Sequence, residues 1–309
     1  MKNKVLKTIG FFIVCFLVST GNICAQYATD VTVTDIRDVT LSKKMEQEAS
    51  KLLTAFNDAY IKNKQPELKN VKDQKSISAI WAISPLKCIE TEIIERGYST
   101  SSGYQIRNIP MFLKDVSEED AERDIAINFD KQGNITDIYF CISANVLEGM
   151  NEVTDLRKRV ELIDFVEKFR TAYNRKDIKA VKSKFSEDAE IITGRVTKVK
   201  KVEGSGFEEI IEFKTQTLPQ YIDGLTRTFA NNKVIDVKYE DIELQQHSKY
   251  DHIYGVTFKQ IWDASNYSDI GYVFLCIDFH DKEPFIKVRT WQPEQFQGRI
   301  PRIEELFEL

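Results

Sequence analysis

Apolar residues recur every three to four positions along Met45, Ala49, Leu52, Phe56 and Ala59/Tyr60. That period holds them on one side of a helix, which the polar stretch Lys62–Pro66 ends. The pattern returns at Leu156, Val160, Ile163, Val166, Phe169 and Tyr173, with Thr154 and Asp155 as N-cap candidates. Asp177 is placed to cap a further short helix carrying Ile178, Val181 and Phe185. The two long helices end alike, in Phe56-Asn57-Asp58-Ala59-Tyr60 and Phe169-Arg170-Thr171-Ala172-Tyr173, each followed by a basic, polar turn. This repetition predicts one fold used twice.

Elsewhere the period shortens to two. Val31 and Val33 predict an edge strand in a lead-in segment, residues 26–42. One hairpin is expected from Ala126–Phe129 and Ile135–Ile142 around Asp130–Asn134, and a second from Phe274–Phe279 and Phe285–Trp291 around His280–Pro284. In the second half Glu190–Lys201 and Glu208–Lys214 read as a strand pair around Gly204-Ser205-Gly206. Pro219–Phe229 reads as a helix, and Val234–Leu244 and Ile253–Trp262 as strands. The first half is less regular: Ser76–Ile83 reads as a strand, Tyr98–Gly103 as a loop and Pro110–Val116 as a helix. The polar segment Glu148–Val153 is the expected joint, giving domains over 43–147 and 154–293 and a C-terminal tail over 294–309. In that tail Ile303–Phe307 is an acidic, apolar run, either a docking helix or a frayed end.

Two helices, a strand pair, a further helix and a run of long antiparallel strands resemble the nuclear transport factor 2-like cone fold. The pieces that carry the resemblance are Phe169-Arg170-Thr171-Ala172-Tyr173-Asn174 with Asp177, and the closing Val288-Arg289-Thr290-Trp291-Gln292-Pro293. The resemblance is clearest over 156–293 and weaker over 43–146. It implies an α+β chain of two tandem cones, each a curved antiparallel sheet wrapped around a long helix. It also implies a conical hollow that is a packed core, a ligand pocket or an active site. Exported bacterial proteins of uncharacterised role are similar to it as well.

Alternation along the strands names the candidates for that hollow. Tyr254, Val256, Phe258, Gln260 and Trp262 share one face of a strand. Tyr272, Phe274, Cys276 and Asp278 share a face of the next, and Lys287, Arg289 and Trp291 a face of the last. Alternation alone leaves open which faces turn inward. The expected ligand pocket is Tyr173, Phe258, Trp262, Tyr272, Asp278, Arg289 and Trp291. Aromatic rings would supply stacking, and Arg289 or Asp278 would orient a polar group.

The same residues offer a catalytic alternative of the isomerase or cyclase kind, with Asp278 as base and Tyr272 as donor to a developing oxyanion. The plainer role for Asp278 is an ion pair with Arg289 at the strand end. No cofactor is expected. Asp278, His280, Asp281, His247 and His252 are too few and too scattered for a zinc site, which needs three or four convergent ligands. Gly204-Ser205-Gly206 lacks the Gly-x-Ser-x-Gly spacing of a nucleophile elbow. Arg195, Lys198, Lys200 and Lys201 read as a solvated strand edge that discourages sheet pairing.

Charge and composition narrow the function class. The chain carries 43 Lys and Arg against 48 Asp and Glu, a net charge of −5. It becomes more acidic without its first segment, which gives no basis for attraction to nucleic acid or anionic lipid. Residues 1–25 have basic Lys2, Lys4 and Lys7, an apolar Ile9–Val18 too short to span a bilayer, and small Ala25, the pattern of an export signal. Cys24 stands in a poor context for lipid attachment. Cys88, Cys141 and Cys276 read as buried thiols. The expectation is an exported protein, periplasmic or at the cell surface, with no transmembrane span. Its favoured role is a non-catalytic module binding a small molecule or an envelope protein, with a purely structural scaffold as a third possibility.

Overall fold

The computed structural model describes residues 27–295 and 303–306, apart from 69–70, 73, 143–144, 149–151, 203–205 and 282; the side chains of 76, 119, 145, 148, 195–210 and 306 are likewise not described. The expected export signal, the Gly204-Ser205 turn and the basic side chains of Arg195–Lys201 therefore lie outside the described set.

The first half opens with β1 (Asp30–Thr34) and α1 (Val39–Lys62). The helix begins four residues before the sequence pattern suggests, because Asp38 caps it, accepting from the N–H groups of Thr40 and Leu41. It ends where Asn63 takes a left-handed conformation, φ 49°. The expected edge strand is present. The N–H groups of Val31 and Val33 donate to Ser50 Oγ (2.9 Å) and Glu46 Oε1 (3.1 Å) on α1.

Next come α2 (Gln74–Ile83), β2 (Leu86–Cys88), β3 (Glu92–Arg96), β4 (Tyr98–Ser99), β5 (Gly103–Leu113), β6 (Glu122–Asp130) and β7 (Ile135–Phe140). Three expectations fail here. Ser76–Ile83 is helical, since Ile77, Ile80 and Trp81 fall on one buried side at helical spacing and Trp81 stacks on Phe56 at 5.9 Å. Pro110 belongs to the long strand β5, beyond a bulge at which Asn108 is left-handed (φ 58°). A proline is tolerated there because the ladder is already interrupted. The stretch expected as a loop holds β4 and the start of β5, a short antiparallel pair. The sheet runs β2-β5-β6-β7, antiparallel throughout, and β1 pairs with β3 in parallel.

The second half contains α3 (Asn145–Glu148), α4 (Leu156–Asn174), α5 (Ile178–Lys182), β8 (Phe185–Val202), β9 (Gly206–Thr217), α6 (Leu218–Asn231), β10 (Ile235–Gln246), β11 (Ile253–Ala264), β12 (Tyr267–Asp278), β13 (Phe285–Gln292) and α7 (Ile303–Leu306). Asp155 and Asp177 cap α4 and α5 as the sequence predicts. Gln220 accepts from the Thr217 N–H at 3.0 Å, which fixes the start of α6. The sheet order is β10-β11-β12-β13-β8-β9, with β13 and β8 parallel and every other pair antiparallel. Register shifts interrupt four of its five pairings. Each extra residue bends its strand and strengthens the twist, so the sheet curls around α4. This is the α+β cone that the resemblance implies. No helix among the described residues is long and apolar enough to cross a membrane.

Two large apolar cores result, with a smaller cluster on the outer face of the second sheet. One lies between α1, α2 and the first sheet, the other inside the curled second sheet. The sheets do not pack on each other. The first sheet turns Ile106, Ile125, Ile127 and Ile138 toward α1, and its other face presents Gln105, Arg107, Asn128 and Tyr139. Those polar groups meet the outer side of α4, which is thus enclosed between both sheets.

Candidate functional site

The pairing register decides which strand faces turn into the cone. Tyr254, Val256 and Phe258 of β11 stand opposite Ile277, Leu275 and Val273 of β12, and all six belong to the second core. Arg289 and Trp291 of β13 stand opposite Leu275 and Val273 and share that face. The alternate residues of β12, Phe274 and Cys276, lie on the outer face, where they pack with Ile253, Val288 and Ile303 of α7. The C-terminal segment is therefore a docking helix there, anchored by the Ile303 N–H on Gln245 Oε1 at 3.0 Å.

The expected pocket divides accordingly. Tyr173, Phe258, Trp262, Arg289 and Trp291 come together inside the cone. Tyr272 and Asp278 have the outward parity of Phe274 and Cys276 and do not join them. The expected Asp278–Arg289 ion pair is absent, because the side chains leave opposite faces of the sheet. Asp278 instead accepts from the His280 N–H at 2.7 Å. The base-and-donor pair proposed for catalysis thus faces away from the cone.

Inside, Tyr173 at the end of α4 is the hub. Its ring meets Phe169 at 4.9 Å, Trp262 at 5.9 Å and Phe229 at 6.3 Å, each edge-on. Its hydroxyl shares a 2.6 Å hydrogen bond with that of Tyr221 on α6. Tyr239 of β10 packs on Phe258 with ring centroids 4.0 Å apart. Trp291 lies against β12 at Gly271, where any Cβ would come within 2.5 Å of the indole. The glycine is what admits the ring.

Arg289 reaches this aromatic floor with 6 % of its surface exposed. Its guanidinium lies over the Tyr221 ring at 5.5 Å, and its Nε has no hydrogen-bond partner. The Tyr239 hydroxyl is also buried and unpartnered. Among the described residues no carboxylate pairs with Arg289; the groups that act on its charge, besides burial, are the phenols of Tyr221, Tyr173 and Tyr239. Burial pushes the Tyr173 and Tyr239 phenols above their ordinary range, so both stay neutral and retain their O–H donors. Neutral phenols solvate a cation but do not neutralise it.

Tyr221, Tyr239 and the orphaned donors escape sequence reading. Tyr221 looks like an apolar helix position, and Tyr239 looks like any strand aromatic. Only closure of the cone brings them near Arg289. Among the described residues no group of three or more His, Cys, Asp and Glu could hold a metal ion.

Open grooves occur elsewhere. One of about 280 Å³ follows the seam between the halves, but its cations Arg123 and Lys238 are already paired with Asp236 (2.7 Å) and with Asp120, and Arg170 donates to the Phe140 carbonyl. Another of about 260 Å³ lies beside α1, lined by Glu48, Lys51, Leu52 and Leu68 among others.

No protein-family model and no curated protein matches the chain. Similar solved structures include nuclear transport factor 2-like proteins, among them one of unknown function and a candidate dehydratase. A nuclear transport factor 2-like protein of unknown function from Pseudomonas putida is 5% identical over 44% of this chain and 87% of its own, with a TM-score of 0.33. A candidate ketosteroid isomerase from Shewanella frigidimarina is 13% identical over 42% of this chain and 92% of its own, with a TM-score of 0.29. The Bdellovibrio bacteriovorus protein Bd1075 is 15% identical over 52% of this chain, with a TM-score of 0.35; the match spans 46%, about half, of that protein's length.

Proposed function

We propose that the cone of the second half binds a small molecule without transforming it, and that the first half is a rigid support for it. The observation that carries this is the wall of the cone. Trp262, Trp291 and Tyr221 are half-buried, above a floor of Tyr173, Tyr239 and Phe258. Half-exposed amphipathic rings around a buried polar group are the usual lining of a ligand site. The placement of Asp278 and Tyr272 on the outer face removes the residues that would make the site an isomerase or cyclase. We further propose that the protein acts after export, in the periplasm or at the cell surface, on the strength of the basic, then apolar, leader over residues 1–25.

The test is a thermal-shift and native mass spectrometry screen with small aromatic and alicyclic compounds. Ligands are expected that raise the melting temperature of the parent and of Asp278→Asn equally, and that lose binding in Trp262→Ala. A ligand that binds equally well to Trp262→Ala would place the site elsewhere. Turnover that depends on Asp278 would make the protein an enzyme. Sequencing the N-terminus of the protein recovered from fractionated cells checks the export step.

A further inference from the structure

We infer that the ligand of this cone is a monoanion, a carboxylate on a flat apolar body, held by Arg289 with the hydroxyls of Tyr239 and the Tyr173–Tyr221 pair. The inference rests on the reading of the cone as a binding site and adds the chemical class of its occupant. It begins with an imbalance. A buried guanidinium is ordinarily matched by a carboxylate, and this chain does so elsewhere: Arg107 meets Glu167 with both side chains wholly buried. Arg289 is almost as deeply buried and has only phenols for company. An unpartnered buried donor is destabilising, and Arg289 Nε and Tyr239 Oη are two such groups, as is Arg107 Nε; Arg289 differs from Arg107 in having no carboxylate beside it.

The donors also converge in kind. Guanidinium N–H and phenol O–H groups all donate, and an oxyanion is the partner that accepts from several at once. One guanidinium offsets one negative charge, so a phosphate dianion would bring an excess charge into a buried aromatic core. A monocarboxylate fits that balance. The surrounding rings of Phe258, Trp262, Tyr173 and Trp291 then suit a flat, apolar body that stacks or meets them edge-on. The hydroxyl pair between Tyr173 and Tyr221 uses one O–H internally and leaves one to give.

The experiment uses matched acids and amides: benzoate and benzamide, 1-naphthoate and 1-naphthamide, indole-3-acetate and indole-3-acetamide. Binding is read by tryptophan quenching and thermal shift in the parent, Arg289→Met and Tyr239→Phe. At least one acid is expected to bind about 10- to 100-fold more tightly than its amide, the range of a charged hydrogen bond. Arg289→Met should erase that preference, and Tyr239→Phe should weaken it. The unliganded Arg289→Met protein should melt no lower than the parent, since an unpaired buried charge is removed. Amides that bind as well as their acids would overturn the anionic class and leave the cone a binding site. If no acid or amide binds at millimolar concentration, the cone itself is not the site. A markedly less stable Arg289→Met protein would make Arg289 a structural residue and overturn the inference by that route.

Discussion

Arg107 of β5 and Glu167 of α4 form a two-pronged ion pair, Nη1 to Oε2 at 2.7 Å and Nη2 to Oε1 at 2.5 Å, with both side chains fully buried. The pair joins the two halves of the chain. Glu167 also accepts from the Ile142 N–H at 2.5 Å, and Arg107 donates to Gln105 Oε1 at 2.8 Å. Gln105 in turn donates to Asn128 and Tyr139, and the Tyr139 hydroxyl donates to Asp164 of α4 at 2.5 Å. The helix that forms the base of the cone is thereby fixed to the first sheet through polar contacts.

Breaking one partner leaves the other charged and unmatched in the interior. Arg107→Met or Glu167→Met alone is expected to lower stability by about 3–5 kcal/mol. The double variant Arg107→Met/Glu167→Met should be less damaged than the sum of the singles. Urea denaturation of the four proteins measures the coupling. Additive losses would show that the pair does not act as a unit.

Trp291 depends on Gly271. A Cβ at that position would lie 2.5 to 2.6 Å from three atoms of the indole. Gly271→Ala should push the ring off the strand, shift its fluorescence maximum and cost about 1–3 kcal/mol, as overpacking does. An unchanged emission spectrum would mean the ring is not held there.

Asp130 should govern part of the acid sensitivity. Burial raises its pKa. Hydrogen bonds from Asn134, from the Lys72 ammonium and from the Gln132 N–H outweigh burial and hold the carboxyl well below its ordinary range. A carboxyl depressed in the fold gives stability that is full above its unfolded value, about 4, and is lost as pH falls through the folded value. Asp130→Asn should be less stable at neutral pH and should lose less than the parent on acidification below about pH 4. Parallel melting curves across pH test this; identical slopes for both proteins would refute it.

Two of the cysteines should be silent and the third slow. Burial pushes the Cys276 thiol up to about 12, with Asp278 adding to the effect, and Cys88 is raised by burial too. Cys141 is pushed up to about 12 as well but is only half-buried, beside the seam groove, and all three are free. In protein lacking residues 1–25, Ellman's reagent at pH 8 should leave Cys88 and Cys276 unlabelled until denaturant is added, with Cys141 reacting slowly. Rapid labelling of two or more thiols in the folded protein would contradict the burial of Cys88 and Cys276.

The cone was legible where a local rule sufficed. Asp155 and Asp177 read as caps, Phe169 and Tyr173 as the inner side of a helix, and the hairpin of β12 and β13 as turn residues between apolar runs. Errors came where two periods overlap in few residues. Ile77, Ile80 and Trp81 satisfy a helix, yet the same short apolar run also suits a strand, and length could not arbitrate. Pro110 suggested a break because the bulge that accommodates it at Asn108 is set by pairing with β6.

The site was half legible for a related reason. Alternation grouped Phe258 with Trp262 and Arg289 with Trp291, but it gives each strand two faces of equal standing. It therefore admitted Tyr272 and Asp278 to a pocket they do not enter. The sequence by itself determined the long helices α1, α4 and α6, the caps at Asp155 and Asp177, most of the strands and the sets of residues that share a strand face, because these depend on neighbours two to four positions away. Tertiary structure alone decided which face closes over α4, that Arg289 lacks a carboxylate, and that Arg107 and Glu167 meet. Those depend on register and curvature between strands far apart in the chain, and a shift of one residue in register exchanges inside for outside.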